Sequence, residues 1–246
     1  MLNLKKRALL ISVSIFCIVE LAIGIAVQLT EDRVNAFISF SAVILACIFH
    51  LLFMSKARDY LLTQAALIFT VLADTFLVLI EPRMQLAGMC CFLVVQISYF
   101  LRIYLNTASK RLRDIHLCVR AAVSVVISVI TLAVLGDDAD VLSIISLIYF
   151  ANLMLNIVFA FFDFKRNALF PIGLLLFALC DVFVGFDMIG AYIPVKEGSF
   201  AYFLANPGFN AAWLFYVPAQ TLLALSLVKF NNKTVPNQSR RYSIFG

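Results

Sequence analysis

The sequence predicts an all-α, polytopic membrane protein with eight transmembrane helices. Composition is the first sign. Of 246 residues, 63% are hydrophobic and 13% charged, against about half and a quarter in soluble domains, and mean hydropathy is +1.01. The second is length: apolar runs of the roughly 20 residues needed to cross hydrocarbon as a helix recur along the chain. These runs are apolar at nearly every residue, whereas a membrane β-barrel alternates. The third is charge: all but three of the 19 basic residues fall on one side of the spans.

In chain order the expected spans are 8–30, 34–54, 60–80, 84–106, 116–136, 141–163, 168–191 and 210–229. Span one carries Cys17, Glu20, Gly24 and Gln28 on one face. Span two ends at His50, which, like His116 before span five, reads as interfacial. In span three, Thr63, Ala66, Thr70 and Ala73 form a small, weakly polar stripe that lets another helix approach, with Asp74 one turn above Thr70. Span four offers Gln96 and Tyr99, and its Arg102 sits at a helix end, as Arg120 does in span five. Span six has a face of Tyr149, Asn152, Asn156, Ala160 and Asp163. Span seven repeats Gly173, Phe177, Asp181 and Gly185 every four residues, with Asp187 near the outer boundary, where it reaches water. Span eight offers Tyr216 and Gln220, and Pro171 and Pro218 are the main helix breakers.

The aromatic connection 192–209 is expected to lie in the interface as a cap. A single eight-helix domain over 1–229 is followed by a polar basic tail, 230–246, expected to be disordered and cytoplasmic. The exceptions to the charge rule are Arg33, Arg83 and Lys196, on the side that holds Glu31, Asp32, Glu81, Asp137, Asp138, Asp140 and Glu197. This asymmetry puts both termini in the cytoplasm. The net charge of +5 is then topological, matched to anionic headgroups and not to nucleic acid. The first apolar run is long for a cleavable signal, so none is expected. The six cysteines lack CxxC spacing and read as free packing residues, with no metal or cofactor implied. LIFTVLADTF in span three aligns with LLLFALCDVF in span seven, placing Asp74 over Asp181. That echo suits a parallel four-plus-four repeat.

An acid at mid-span costs about 2.5–3.5 kcal/mol on insertion scales and usually faces the bundle interior or a wet cavity. Glu20, Asp74 and Asp181 stand there, and no lysine or arginine is expected at their depth. For any one acid, hydrogen bonding between helices is a competing role. Six of the eight spans carry polar groups at similar depth, which favours a polar chamber around Asp74 and Asp181. One protonated and one ionised carboxyl would there serve as acid and base. The chain has no mid-span lysine for a retinal Schiff base, and no P-loop, GxSxG or zinc motif. Mid-membrane acids also fit a transporter or channel for a polar or lipid-like solute, and a non-catalytic scaffold or sensor remains a third reading.

Five short motifs carry a family resemblance. They are Asp74 within LIFTVLADTFL, Gln96-Ile97-Ser98-Tyr99, the tyrosine-led Tyr149–Met154, Phe177-Ala178-Leu179-Cys180-Asp181, and Tyr216-Val217-Pro218-Ala219-Gln220. In order and spacing, over residues 8–229, the chain resembles the YhhN-type lysoplasmalogenase-like eight-span membrane family. It departs from that family's pattern at Ala73, usually Gly, at Gln96, usually His, and at Cys180, usually Ser. The resemblance implies an ether hydrolase that cleaves the vinyl-ether bond of lysoplasmalogens to a fatty aldehyde and a glycerophospho-alcohol. It makes Asp74 and Asp181 the acid/base pair, without a metal or cofactor. Gln96, Tyr99, Tyr216, Gln220 and Asn152 would position water and headgroup, with Glu20 as a third acid. The implied partner is a lysophospholipid-like substrate drawn from the bilayer. The expected location is the cell membrane, in preference to an internal eukaryotic one.

Overall fold

The computed structural model is all-helical and describes residues 2–30, 32–53, 55–189 and 194–228. The helices are α1 (Leu2–Leu29), α2 (Asp32–Leu52), α3 (Arg58–Asp74), α4 (Gln85–Asn106), α5 (Lys110–Leu135), α6 (Val141–Phe161), α7 (Leu169–Ile189), α8 (Phe200–Ala205) and α9 (Ala211–Leu225). A π-helical turn, Thr75–Leu79, extends α3. Short polar caps start several helices. The Ser109 hydroxyl accepts from the Leu112 N–H at the head of α5. Asp140 and Ser143 form a reciprocal capping box on α6, which satisfies two N–H groups that a helix start leaves open.

The packing order is set by which faces are small or apolar. α7 packs most extensively on α9, and α3 on α4. α4 also packs on α6, α6 on α5 and α7, and α1 on α2 and α9. The main core gathers Ala66 and Ala73 of α3, Phe92 and Tyr99 of α4, Tyr149 of α6, Phe177 of α7 and Tyr216 of α9. A second cluster ties α1, α2, α3 and α9 through Phe16, Phe49, Leu67 and Ala224. The outward faces remain apolar: Val125, Val129 and Val134 of α5 and Ile11, Ile18 and Leu29 of α1 are exposed. Such surface is an aggregation liability in water and the ordinary lipid-facing surface in a bilayer.

Seven described helical segments are long and apolar enough to cross a membrane. The eighth expected span is shorter than its sequence suggested. α9 has 15 residues, about 22 Å against about 30 Å of hydrocarbon. Its described end turns at Ser226. There the Ser226 hydroxyl accepts from Arg102 Nη1 at 2.8 Å, and the Leu227 carbonyl accepts the Tyr60 hydroxyl. These contacts bind the foot of α9 to α3 and α4. The described part of the aromatic connection holds α8, packed on α7 with Phe200 and Phe203 exposed. Residues 190–193 and the tail 230–246 lie outside the described residues.

The structure corrects several placements. α5 starts at Lys110, six residues before the expected boundary, because Ser109 caps it. Arg120 therefore lies nearly three turns inside the helix and is buried, not at a helix end. Arg102 is buried too, donating to Thr63 Oγ1 at 3.0 Å with its guanidinium 3.9 Å from the Phe170 ring centroid. So cations do enter the bundle, though neither hydrogen-bonds to an acid. His50 and His116 are buried against neighbouring helices. His50 pairs with Gln64 at 2.8 Å, and the His116 ring lies against Phe159.

Span three is not one regular helix. The π turn begins immediately after Asp74, with the Ile80 N–H reaching the Thr75 carbonyl at 3.1 Å. Its Leu77 presses on Gly88 of α4, where an added Cβ would overlap the Leu77 side chain. Gly88→Ala is therefore expected to destabilise the fold by about 1–3 kcal/mol through overpacking. Equilibrium unfolding of the detergent-solubilised protein measures it, and a neutral result would mean that the π turn yields freely.

Candidate functional site

Asp74 sits at the junction where α3 widens into the π turn. The Thr75 N–H is shared between the Leu72 and Val71 carbonyls, and the register then changes by one residue. Such insertions frequently mark functional positions, because they redirect side chains without ending the helix. Asp74 is 4% exposed, and its Oδ2 accepts the Tyr216 hydroxyl of α9 at 2.6 Å. Asp181 is half-buried on α7, and its Oδ2 accepts the Tyr149 hydroxyl of α6 at 2.6 Å. Each acid thus has one oxygen held by a tyrosine from a different helix. The two carboxyls lie within electrostatic reach of one another, and the Cys180 thiol lies within reach of both.

Aromatic rings hold the two tyrosines in relation. Tyr149 is 5.7 Å from Phe92, Phe92 is 5.7 Å from Phe177, and Phe177 is 5.6 Å from Tyr216, centroid to centroid. Phe177 stands one turn before Asp181, so the helix that brings the second acid also supplies the centre of this stack. These edge and tilted contacts are the geometry that ring quadrupoles prefer.

Gln96 joins the site from α4. Its Oε1 accepts from Asn156 Nδ2 at 2.9 Å, and its backbone carbonyl accepts from the same amide at 3.0 Å. Asn156 Oδ1 in turn accepts from Arg120 Nη2 at 2.6 Å, and Asn152 Oδ1 from Arg120 Nη1 at 2.8 Å. Arg120 also stacks over Phe100 at 4.4 Å. The Gln96 amide Nε2 has no partner of bonding geometry and neighbours the Tyr149 hydroxyl. A polar chain therefore runs from Arg120 through Asn156 and Gln96 to Tyr149 and Asp181.

The other expected site residues divide. Asn152 is committed to Arg120. Tyr99 and Gln220 are fully buried, but the Tyr99 hydroxyl and both polar atoms of the Gln220 amide lack partners. Unpartnered buried polar groups are costly and rare, so these mark places where a polar guest gains. Glu20 is not brought to the pair: it lines a separate groove between α1 and the opposite face of α9. Tyr149 was missed as a partner of Asp181. Its signal was present, since Tyr149, Asn152 and Asn156 recur at helical spacing. Arg120 carried no such signal until the start of α5 was fixed.

Long apolar helices, lipid-type outer faces and an interior pair of tyrosine-bound carboxyls define a multi-pass integral membrane protein with a buried acidic centre. A family model described as the YhhN family matches residues 34–227, most of the chain, and the chain belongs to that family. The family is associated in general with hydrolase activity. Neither a curated protein nor a solved structure matches the chain.

Removing the Tyr216 hydroxyl would strand Asp74 Oδ2 in the core. Tyr216→Phe is expected to lower the unfolding free energy by about 1–3 kcal/mol. Combined with Asp74→Leu it should show a coupling of about 0.5–3 kcal/mol in a double-mutant cycle. Strictly additive effects would show that the contact carries no stability.

Proposed function

We propose that the protein is an ether hydrolase of the cell membrane, with both termini cytoplasmic, that cleaves the vinyl-ether bond of lysoplasmalogen-type lipids. The observation that carries the reading is the pair Asp74 and Asp181, mutually in electrostatic reach inside the bundle, each with Oδ2 tied to a tyrosine. The tyrosine contact of each acid falls on Oδ2 and not on Oδ1. The family association supports the reaction class.

The chemistry asks for two proton transfers. A carboxylic acid gives its proton to the alkene carbon next to the ether-bearing carbon, producing an oxocarbenium ion. Water adds to that ion while a carboxylate takes its proton. The hemiacetal then collapses to a fatty aldehyde and releases the glycerophospho-alcohol, one water being consumed in all. Asp74 and Asp181 serve as this acid and base. Tyr216 and Tyr149 fix their orientation, so that Oδ1 of each can face the reacting atoms. Gln96, itself held by Asn156, and the unpartnered amide of Gln220 orient water and the glycerol. A substrate already dissolved in the bilayer reaches a site at this depth without crossing water.

The test is release of fatty aldehyde from a vinyl-ether lysophospholipid by the purified protein. Asp74→Asn and Asp181→Asn are each expected to lose about 10²–10⁴-fold in turnover while melting within a few degrees of the parent. No aldehyde from the parent protein, or full turnover in either variant, would overturn the assignment.

A further inference from the structure

Glu20 is the acid that the proposed reaction does not use. It lies on α1, 2% exposed, and neither of its oxygens has a hydrogen-bond partner. Thr221 of α9 is its polar neighbour; the Thr221 hydroxyl lies 2.9 Å from the Val217 carbonyl and can turn its proton to that carbonyl or to Glu20. When the proton is on the Val217 carbonyl, the Thr221 oxygen is open to accept. Glu20 and Thr221 line a groove of about 600 Å³ between α1 and α9, within the size range of small-molecule sites. α1 and α9 run antiparallel, tied at one end where Gln28 Nε2 donates to the Asn210 carbonyl at 3.0 Å.

A third acceptor comes from the backbone. Pro218 stands inside α9 and lines the same groove. A proline has no N–H, so the carbonyl four residues back, that of Leu214, loses its helical donor. Leu214 also lines the groove. The polar equipment near Glu20 is therefore a carboxyl, a hydroxyl oxygen and a freed carbonyl. All three can accept, and no lysine or arginine is among the lining residues; the donors there are the Cys17 thiol, the Trp213 indole N–H and the Gln28 amide, the last already given to the Asn210 carbonyl. Toward the Gln28 end the walls are Leu21, Gly24, Ile25 and Val217, which suit a hydrocarbon chain.

Phosphates and fatty acids find no lysine or arginine in this set to pair with. The set fits a group with several N–H donors and a positive charge, which is what a primary ammonium offers. We infer that the α1–α9 groove is a binding site for a single-chain primary amine, whose ammonium group meets Glu20, Thr221 and the Leu214 carbonyl while its chain lies along the apolar wall. The inference does not depend on the hydrolase reading, because the groove and the aspartate pair lie on opposite faces of α9.

Trp213 lines the groove and is the only tryptophan in the sequence, so its fluorescence reports occupancy. The protein, in nanodiscs of zwitterionic lipid, is titrated with a bromine-labelled alkylamine that quenches tryptophan, and unlabelled dodecylamine is used to displace it. Saturable quenching reversed by dodecylamine is expected, with dodecanol and dodecanoate displacing at least about tenfold less well, as loss of a charge-assisted contact implies. Glu20→Gln should weaken binding about tenfold or more. Pro218→Ala, which returns an N–H to the Leu214 carbonyl, should weaken it by about threefold. Both variants are checked by melting temperature. Unsaturable quenching, equal displacement by dodecanol, or a well-folded Glu20→Gln variant that binds as the parent does would each overturn the site.

Discussion

A carboxyl held in hydrocarbon has no water to solvate it, and every other feature of the centre answers to that fact. Asp74 and Asp181 are kept by donors that the bundle itself supplies. Each takes one tyrosine hydroxyl; Tyr216 comes from α9, far from Asp74 in sequence, and Tyr149 from α6, the helix just before that of Asp181. The donors must be exact in position, so the helices that carry them must be too. The ring stack through Phe92 and Phe177, the close contact of Leu77 with Gly88 and the tight seat of Gly173 against Leu223 and Ala219 all serve that positioning.

The same requirement accounts for the buried arginines. Arg120 is not a counter-ion for the acids; its guanidinium is spent on two asparagine oxygens and an aromatic face. It anchors the otherwise lipid-facing α5 to α6. By holding Asn156 it also fixes the carboxamide of Gln96 beside Tyr149. Arg102 does comparable work near the foot of the bundle, joining α3, α4 and the turn after α9 through Thr63 and Ser226. The cations keep helices in register, and the two acids are bonded by tyrosines instead.

Glu20 shows what happens when no hydrogen bond is completed. It is as deeply buried as Asp74, yet neither of its oxygens completes a hydrogen bond among the described residues, and its groove is walled mainly by apolar side chains. A proline on the facing helix adds one more free acceptor instead of relieving it. Two acids in one membrane protein thus have opposite surroundings. One is satisfied by the fold, and the other is poised toward a guest from outside it.

The sequence by itself determined the helical class, the positions of seven long spans and the two aspartates as the residues to watch. Hydrophobic length and the cost of charge in lipid are properties of local composition, so they can be read without a partner helix. Which tyrosine serves which acid was decided only by tertiary packing. So were the inward turn of Arg120, the burial of His50 and His116, the shortened last helix and the π turn after Asp74. Each depends on a cap or on a contact between separate helices. The pattern of spans one and eight placed polar groups on Glu20's face but could not show that both Glu20 oxygens would be left without a completed hydrogen bond. A stripe of polar residues records that a face is wet or bonded, while the identity of its neighbour is fixed only when the helices close.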